Sequence, residues 1–347
     1  MKKNIKFIGL LFFGIIFFAF TACARPSSSN AAYRTVRVGY FPNITHSQAI
    51  VGMAKGTFQK EMGPDVRIEV KIFNAGPYVI EAIYAGALDI AYIGPNPAIN
   101  GYIRSGGEAL RIVSGSASGG AGLVVRNDSG ILKPEDFHDK TIASPQLGNT
   151  QDVALRSWLN KHKLVLKEKG GDVKVLSIAN PDQLTLFKKK EIDGAWTVEP
   201  WVSRLIEEGG GRLYLDEREL WPDGKFVTAN IIVRKKFLDK NPDIVIRWLK
   251  AHVEITEWIN QNMDEARIII NAEIKNLTGA SLKESVINSA FDRIRITYDP
   301  IKNSLYESAE AAFGEGFLGD VKPDLNGIYS LELLNQVLKD KQKKQID

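Results

Sequence analysis

The chain has 347 residues, 25% of them charged, with 45 lysines and arginines against 41 aspartates and glutamates and a single cysteine, Cys23. Lys2, Lys3 and Lys6 fall in an N-terminal leader; without them 42 basic side chains meet 41 acidic ones, a balance that offers no basic face to nucleic acid. One cysteine excludes an internal disulfide and a multi-thiol centre, and none of the four histidines stands in a metal-ligand pair, so neither a metal centre nor thiol catalysis is expected.

The three leader lysines precede an uninterrupted apolar run, Phe7 to Phe20. Spanning a bilayer takes about 20 such residues, so this shorter run reads as a signal peptide over 1-22. Thr21, Ala22 and Cys23 resemble the lipobox of bacterial lipoproteins, which implies cleavage before Cys23 and a diacylglycerol on its sulfur. The Ser-rich stretch Arg25 to Ala32 then completes a flexible lipidated tether, 23-33. The expected location is the cell membrane, lipid-anchored, facing the periplasm or the cell exterior.

The remaining body, about 310 residues, is long enough for two lobes. Strands are expected at Thr35 to Phe41, Arg67 to Phe73, Asp89 to Ile93, Leu110 to Ser114, Leu123 to Arg126, Thr141 to Ser144, Val173 to Ile178, Asp193 to Trp196 and Ala229 to Arg234. Helical patterns fill most gaps, predicting an α/β fold with mainly parallel sheets. From Pro242 onward the pattern is almost wholly helical.

There is a faint internal echo. LDIAYIGP, Leu88 to Pro95, resembles IDGAWTVEP, Ile192 to Pro200, and Pro42 precedes Asp89 by nearly the interval that separates Pro145 from Asp193. Two similar lobes follow, with boundaries expected at 34-121 plus 230-347 for the discontinuous first lobe and 122-229 for the second. In open α/β sheets ligands sit beyond the carboxyl ends of strands. The first lobe would therefore offer Asn43, His46, Gly76, Pro77, Gly94, Pro95 and Asn96, with Ser116 and Ser118 in a glycine-rich loop near the crossover. Gly94 to Asn96 suits either close approach to a ligand or plain turn chemistry.

The second lobe holds the most informative stretch, ASPQLGNTQDVALRSWL. Its β-type run breaks at Pro145, loosens at Gly148 and reaches Asn149 where an N-cap belongs, with Asp152 three residues on. The free N–H groups of such a helix start suit an anion. The chain has neither a P-loop nor a dinucleotide fingerprint here.

Three longer stretches carry a more specific likeness: VRVGYFPNITHSQAIVGMAKGTF, FNAGPYVIEAIYAGALDIAYIGPNPAINGY and KKKEIDGAWTVEPW. In order and spacing they resemble the substrate-binding proteins of ABC importers for aliphatic sulfonates, taurine and nitrate. The resemblance implies the two-lobed type II periplasmic-binding-protein fold, with a ligand cleft between lobes and a helical C-terminal part. It implies a monomer that does no chemistry, captures a small-molecule oxyanion and delivers it to an ABC permease with its ATPase. It also implies that Gly148, Asn149 and Thr150 hold the anion and that Trp196 covers the ligand's tail. Glu199 would receive an ammonium, although an acid before Pro200 at a helix start also suits a purely stabilising role.

Three other readings share these features. One is a binding protein for a thiamine-type pyrimidine. Another is a same-fold biosynthetic enzyme, against which the leader and the lone cysteine argue. The third is a sensory or adhesive lipoprotein with an incidental cleft.

Overall fold

The computed structural model describes residues 33–347. The leader and all of the tether but Tyr33, including Cys23, lie outside the described residues. In chain order the elements are β1 Arg34–Tyr40, α1 Ser47–Ala54, α2 Thr57–Met62, β2 Val66–Ile72, α3 Gly76–Tyr84, β3 Ile90–Ile93, α4 Pro95–Arg104, β4 Leu110–Gly119, β5 Ala121–Arg126, β6 Thr141–Ser144, α5 Thr150–Lys161, β7 Lys174–Ser177, α6 Asn180–Lys188, β8 Gly194–Val198, α7 Trp201–Glu207, β9 Gly211–Asp216 and β10 Val227–Arg234. The C-terminal third follows as α8 Lys235–Lys240, α9 Pro242–Gln261, α10 Met263–Thr278, α11 Glu284–Arg293, the short β11 Ile294–Ile296, α12 Lys302–Gly314 and α13 Glu332–Asp340.

Two sheets result. The first has the order β11-β4-β10-β3-β1-β2 and the second β7-β6-β8-β5-β9. Apart from β11, an edge addition, the two orders match place for place, with β3 and β8, the echoing segments, in the same position. Pairing is parallel among β2, β1 and β3 and among β7, β6 and β8. With the edge strand β11 set aside, one strand in each sheet, β10 or β5, runs antiparallel to both neighbours. Connectivity gives the reason. Each of these strands receives the chain from the other sheet, enters where the parallel strands end, and so must run the opposite way. The first transfer turns at Gly120, and the second occupies the residues between Asp216 and Val227.

Alternation along these strands builds a core on both faces of each sheet. On β10, Ile231 and Val233 join one cluster with α1, α2 and α9, while Ile232 joins another with α3, α4 and α12. On β5, Leu123 and Val125 face Trp158 of α5, and Val124 faces Phe187 of α6 and Leu205 of α7. The described residues pack as one unit, because C-terminal segments reach both sheets. Arg293 of α11 pairs with Glu199 just after β8 at 3.0 Å, and Glu315 after α12 accepts from Asn160 and Lys169, each at 3.1 Å.

One sequence expectation is corrected here. The serine- and glycine-rich stretch after Ser114 is not a loop; β4 continues through it to Gly119. Two of the strand's hydroxyls are satisfied internally, Ser114 Oγ donating to the Tyr298 carbonyl at 3.2 Å and Ser116 Oγ to Gln48 Oε1 at 2.9 Å, which makes a polar sequence compatible with a buried strand. The C-terminal third is mainly helical, as expected, and its three-residue β11 pairs with that extension of β4.

Candidate functional site

The carboxyl ends of the parallel strands in both sheets converge on one narrow gap of about 30 Å³. From the first sheet come Phe41, Asn43, Thr45 and His46 after β1, Asn74 after β2 and Gly94 after β3, with Thr228 on β10. From the second come Pro145, Asn149, Thr150 and Gln151 after β6, Asn180 after β7 and Val198 at the end of β8. None of these side chains carries a carboxylate, a guanidinium or an ammonium.

Local sequence sets each wall. After β1, the backbone N–H of Phe41 donates to His46 Nδ1 at 3.1 Å and the two rings stack with centroids 4.6 Å apart. That bond places the imidazole proton on Nε2, so His46 is a donor toward the gap. Burial drives its pKa down to about 3, and it is neutral throughout the physiological range.

After β6, Asp152 fixes the turn. Its carboxylate accepts from Ser144 Oγ at 2.6 Å and from the Gly148 N–H at 2.9 Å, and it pairs with Arg156 at 3.0 Å. Gly148 sits at φ +70°, a left-handed conformation that glycine adopts freely. Asn149 then caps α5, its Oδ1 accepting the Thr150 N–H at 2.7 Å. The next N–H, that of Gln151, has no acceptor among the described residues. A twelve-residue helix therefore presents an open donor to the gap with the positive end of its dipole behind it.

After β7, the Thr197 hydroxyl donates to Asn180 Oδ1 at 3.0 Å, which leaves Asn180 Nδ2 as a further donor. The arrangement supplies hydrogen-bond donors from both sheets and no formal charge. Such a site suits a compact anion that spreads its charge over several oxygens, and nothing in it is placed for nucleophilic or acid–base work.

Of the residues expected from sequence, Asn43, His46, Gly94, Asn149 and Thr150 line the gap, with Gly148 directly behind the cap. Pro95 is the buried first residue of α4. Asn96 is held by Ser308, whose Oγ donates to its Oδ1 at 2.7 Å. Pro77 lies in a separate groove with Pro97 and Leu147, and an added Cβ on Gly76 would strike Pro97. Ser116 and Ser118 are interior to β4.

Trp196 is fully buried and donates through Nε1 to Glu217 at 2.7 Å. Glu199 is also fully buried, and its carboxylate is occupied by the Ser203 N–H, the Ser203 hydroxyl and Arg293 at 3.0–3.1 Å. Neither side chain reaches the gap. Thr45, Asn74, Pro145 and Val198 fall in strand-end loops that the sequence reading assigned to the cleft, whereas Phe41, Gln151, Asn180 and Thr228 were not named as lining residues. The Asn180-Pro181 pair opening a helix directly after β7 was the available signal for Asn180.

Comparison with known proteins gives a consistent picture. The putative aliphatic sulfonates-binding protein of Bacillus subtilis is 23% identical over 348 residues, covering 98% of each chain. The taurine-binding periplasmic protein of Escherichia coli is 26% identical over 219 residues, covering 62% of this chain and 64% of the relative. The alkanesulfonate-binding protein SsuA from Xanthomonas axonopodis pv. citri, solved with MOPS bound, superposes with a TM-score of 0.70 at 16% identity, over 86% of this chain and 98% of that one. All three are named as binding proteins and none as an enzyme, and the last shares the periplasmic-binding-protein fold. A family model described as the NMT1-like family matches residues 29–274, and the chain belongs to that family.

Proposed function

We propose that the chain is an extracytoplasmic solute-binding lipoprotein that captures a small sulfonate or related oxyanion between two lobes and delivers it to an ABC permease. The observation that carries this reading is the gap itself, where uncharged donors from the strand ends of both sheets converge on one small space. An ion held by both walls favours their approach, which is how a closed form becomes recognisable to a permease. The lobes are taken as 34-121 plus 230-347 and 122-229. The leader and Cys23 support a lipid anchor, and among the described residues no helix is long and apolar enough to cross a membrane.

Thermal unfolding with ethanesulfonate, nitrate and bicarbonate, followed by calorimetric titration, tests the proposal. An alkanesulfonate at 100 times its dissociation constant should stabilise the fold by about 2.7 kcal/mol. Absence of any shift with all three anions at millimolar concentration would refute it.

A further inference from the structure

The gap opens outward into a second chamber of about 250 Å³. The two spaces share Phe41, Asn43, Asn74 and Asn180, so they are continuous. Their chemistry differs. Where the inner space is lined by hydroxyls, amides and an imidazole, the outer one is walled mainly by Phe41, Phe73, Pro181, Trp201, Ile274 and Leu282.

The single ionic side chain on the outer wall is Arg204, and it is already engaged. Its Nε and Nη2 donate to the two oxygens of Glu208 at 3.0 and 3.1 Å. Its guanidinium carbon lies 4.6 Å from the centre of the Trp201 ring. A guanidinium neutralised by a bidentate carboxylate and laid over an indole presents a flat, partly apolar surface. No carboxylate lines either space, so nothing there would pair with an ammonium.

Size separates the two roles further. The inner gap, about 30 Å³, admits a compact head group and little more. Any organic substituent on that head must lie in the outer chamber. An apolar cavity of about 150 Å³ already admits benzene, and the outer chamber is larger.

Resting on the sulfonate reading above, we propose that the outer chamber is a tail subsite that selects an aromatic or bulky apolar substituent and rejects the ammonium of an aminoalkanesulfonate. Phe41, Phe73 and Trp201 would flank the tail, and Thr278 at the end of α10 with Ala280 to Leu282 after it would close over it. An uncharged ring gains from leaving water against these faces, whereas an ammonium would lose its hydration without a partner.

The test is calorimetric titration of the purified protein with benzenesulfonate, ethanesulfonate and taurine. Benzenesulfonate should bind roughly tenfold or more tightly than ethanesulfonate, and taurine roughly tenfold more weakly. Ala280→Trp, at an exposed position on the chamber wall, should fill the space without burdening the core. It should weaken benzenesulfonate by about tenfold while ethanesulfonate stays within about threefold. Trp201→Leu should act in the same direction, with retained ethanesulfonate binding showing that the fold is intact.

If ethanesulfonate binds but benzenesulfonate gains nothing over it, the tail subsite is overturned while the sulfonate reading stands. Taurine binding as tightly as ethanesulfonate, or an Ala280→Trp variant with an unchanged ligand ratio, has the same consequence. If none of the three sulfonates binds while nitrate or bicarbonate does, the tail subsite falls and the oxyanion reading stands; if no oxyanion binds, both fall.

Discussion

Gly94 and Thr150 meet across the gap so closely that a Cβ on Gly94 would lie 2.6 Å from Thr150 Oγ1. Gly94 follows β3 of the first sheet and Thr150 opens the helix after β6 of the second, and the backbone N–H of Asn96 donates to the same hydroxyl at 3.4 Å. Gly94→Ala should hold the walls apart. Overpacking of this kind costs about 1–3 kcal/mol, and the strain is relieved if the gap opens. Affinity for the ligand should therefore fall by roughly tenfold or more, while the melting temperature without ligand changes little. Thr150→Ala in the same chain removes the obstructing oxygen, so the loss in the double variant should be less than additive. Titration of the single and double variants measures this coupling.

Glu199 and Arg293 join β8 to α11 in a contact shielded from solvent. Burial raises the Glu199 pKa to about 7, opposed by the Arg293 charge and the Ser203 hydrogen bonds. Arg293→Met would strand a buried carboxylate and should destabilise the protein by about 3–5 kcal/mol. Glu199→Gln keeps an acceptor for Ser203 and should cost less. Because Glu199 does not line the gap, Glu199→Gln should leave the affinity ratio of taurine to ethanesulfonate unchanged. Urea unfolding and titration of the two variants check both statements.

The contrast between Glu199 and Asn149 shows what a sequence can disclose. The strand ends, and hence the loops around the gap, follow from hydrophobic runs punctuated by proline and glycine, which are local signals. Ser203, one partner of Glu199, is local and fits the helix-start reading, but Arg293 lies 94 residues away, beyond the reach of any local pattern. Strand β9 escaped notice because it is an edge strand whose Arg212 to Leu215 are only half-buried, giving a weak apolar signal. The end of β4 was hidden for a different reason. Its serines and glycines read as a loop, whereas in the fold Ser116 finds its hydrogen-bond partners in Gln48 and Thr45, distant in sequence.

Glu217 should make stability depend on pH. Burial pushes its carboxyl up from 4.5 to about 7, with the Trp196 hydrogen bond opposing the shift. Below pH 4.5 folded and unfolded chains both hold the proton. As pH rises from 4.5 to 7 the unfolded chain loses it first, so the folded state is progressively destabilised, by on the order of 2 kcal/mol or more. Glu217→Gln keeps an acceptor for Trp196 and removes the titration. Denaturant unfolding at pH 5 and pH 8 should show a smaller loss in the variant, the remainder coming from Glu199, whose pKa is raised in the same sense.

Cys23→Ala should release the protein from the membrane fraction or leave the leader uncut. The apolar run Phe7 to Phe20 is short for a span, and the proposed lipid is the anchor. Fractionation followed by immunoblotting reads the result. A mature-sized band still sedimenting with membranes would show that some other contact holds it there.

The start of α5 separates capping from ligand binding. Asn149 spends its Oδ1 on the Thr150 N–H at 2.7 Å, so its amide serves the helix first. Thr150 differs, because its Oγ1 receives only the long 3.4 Å contact from Asn96 and its own proton remains available to an anion. Asn149→Ala should lower stability by about 1 kcal/mol. Thr150→Val should leave stability nearly unchanged and weaken the ligand by about 1–2 kcal/mol, the worth of one hydrogen bond to a charged acceptor. Neither change should abolish binding, since the Gln151 N–H, His46 and Asn180 still donate from three other positions. Melting curves and titrations on both variants distinguish the effects. If Thr150→Val binds every tested anion within about twofold of the parent chain, roughly 0.4 kcal/mol, the Thr150 hydroxyl does not contact the anion, which is held by the other donors of the gap.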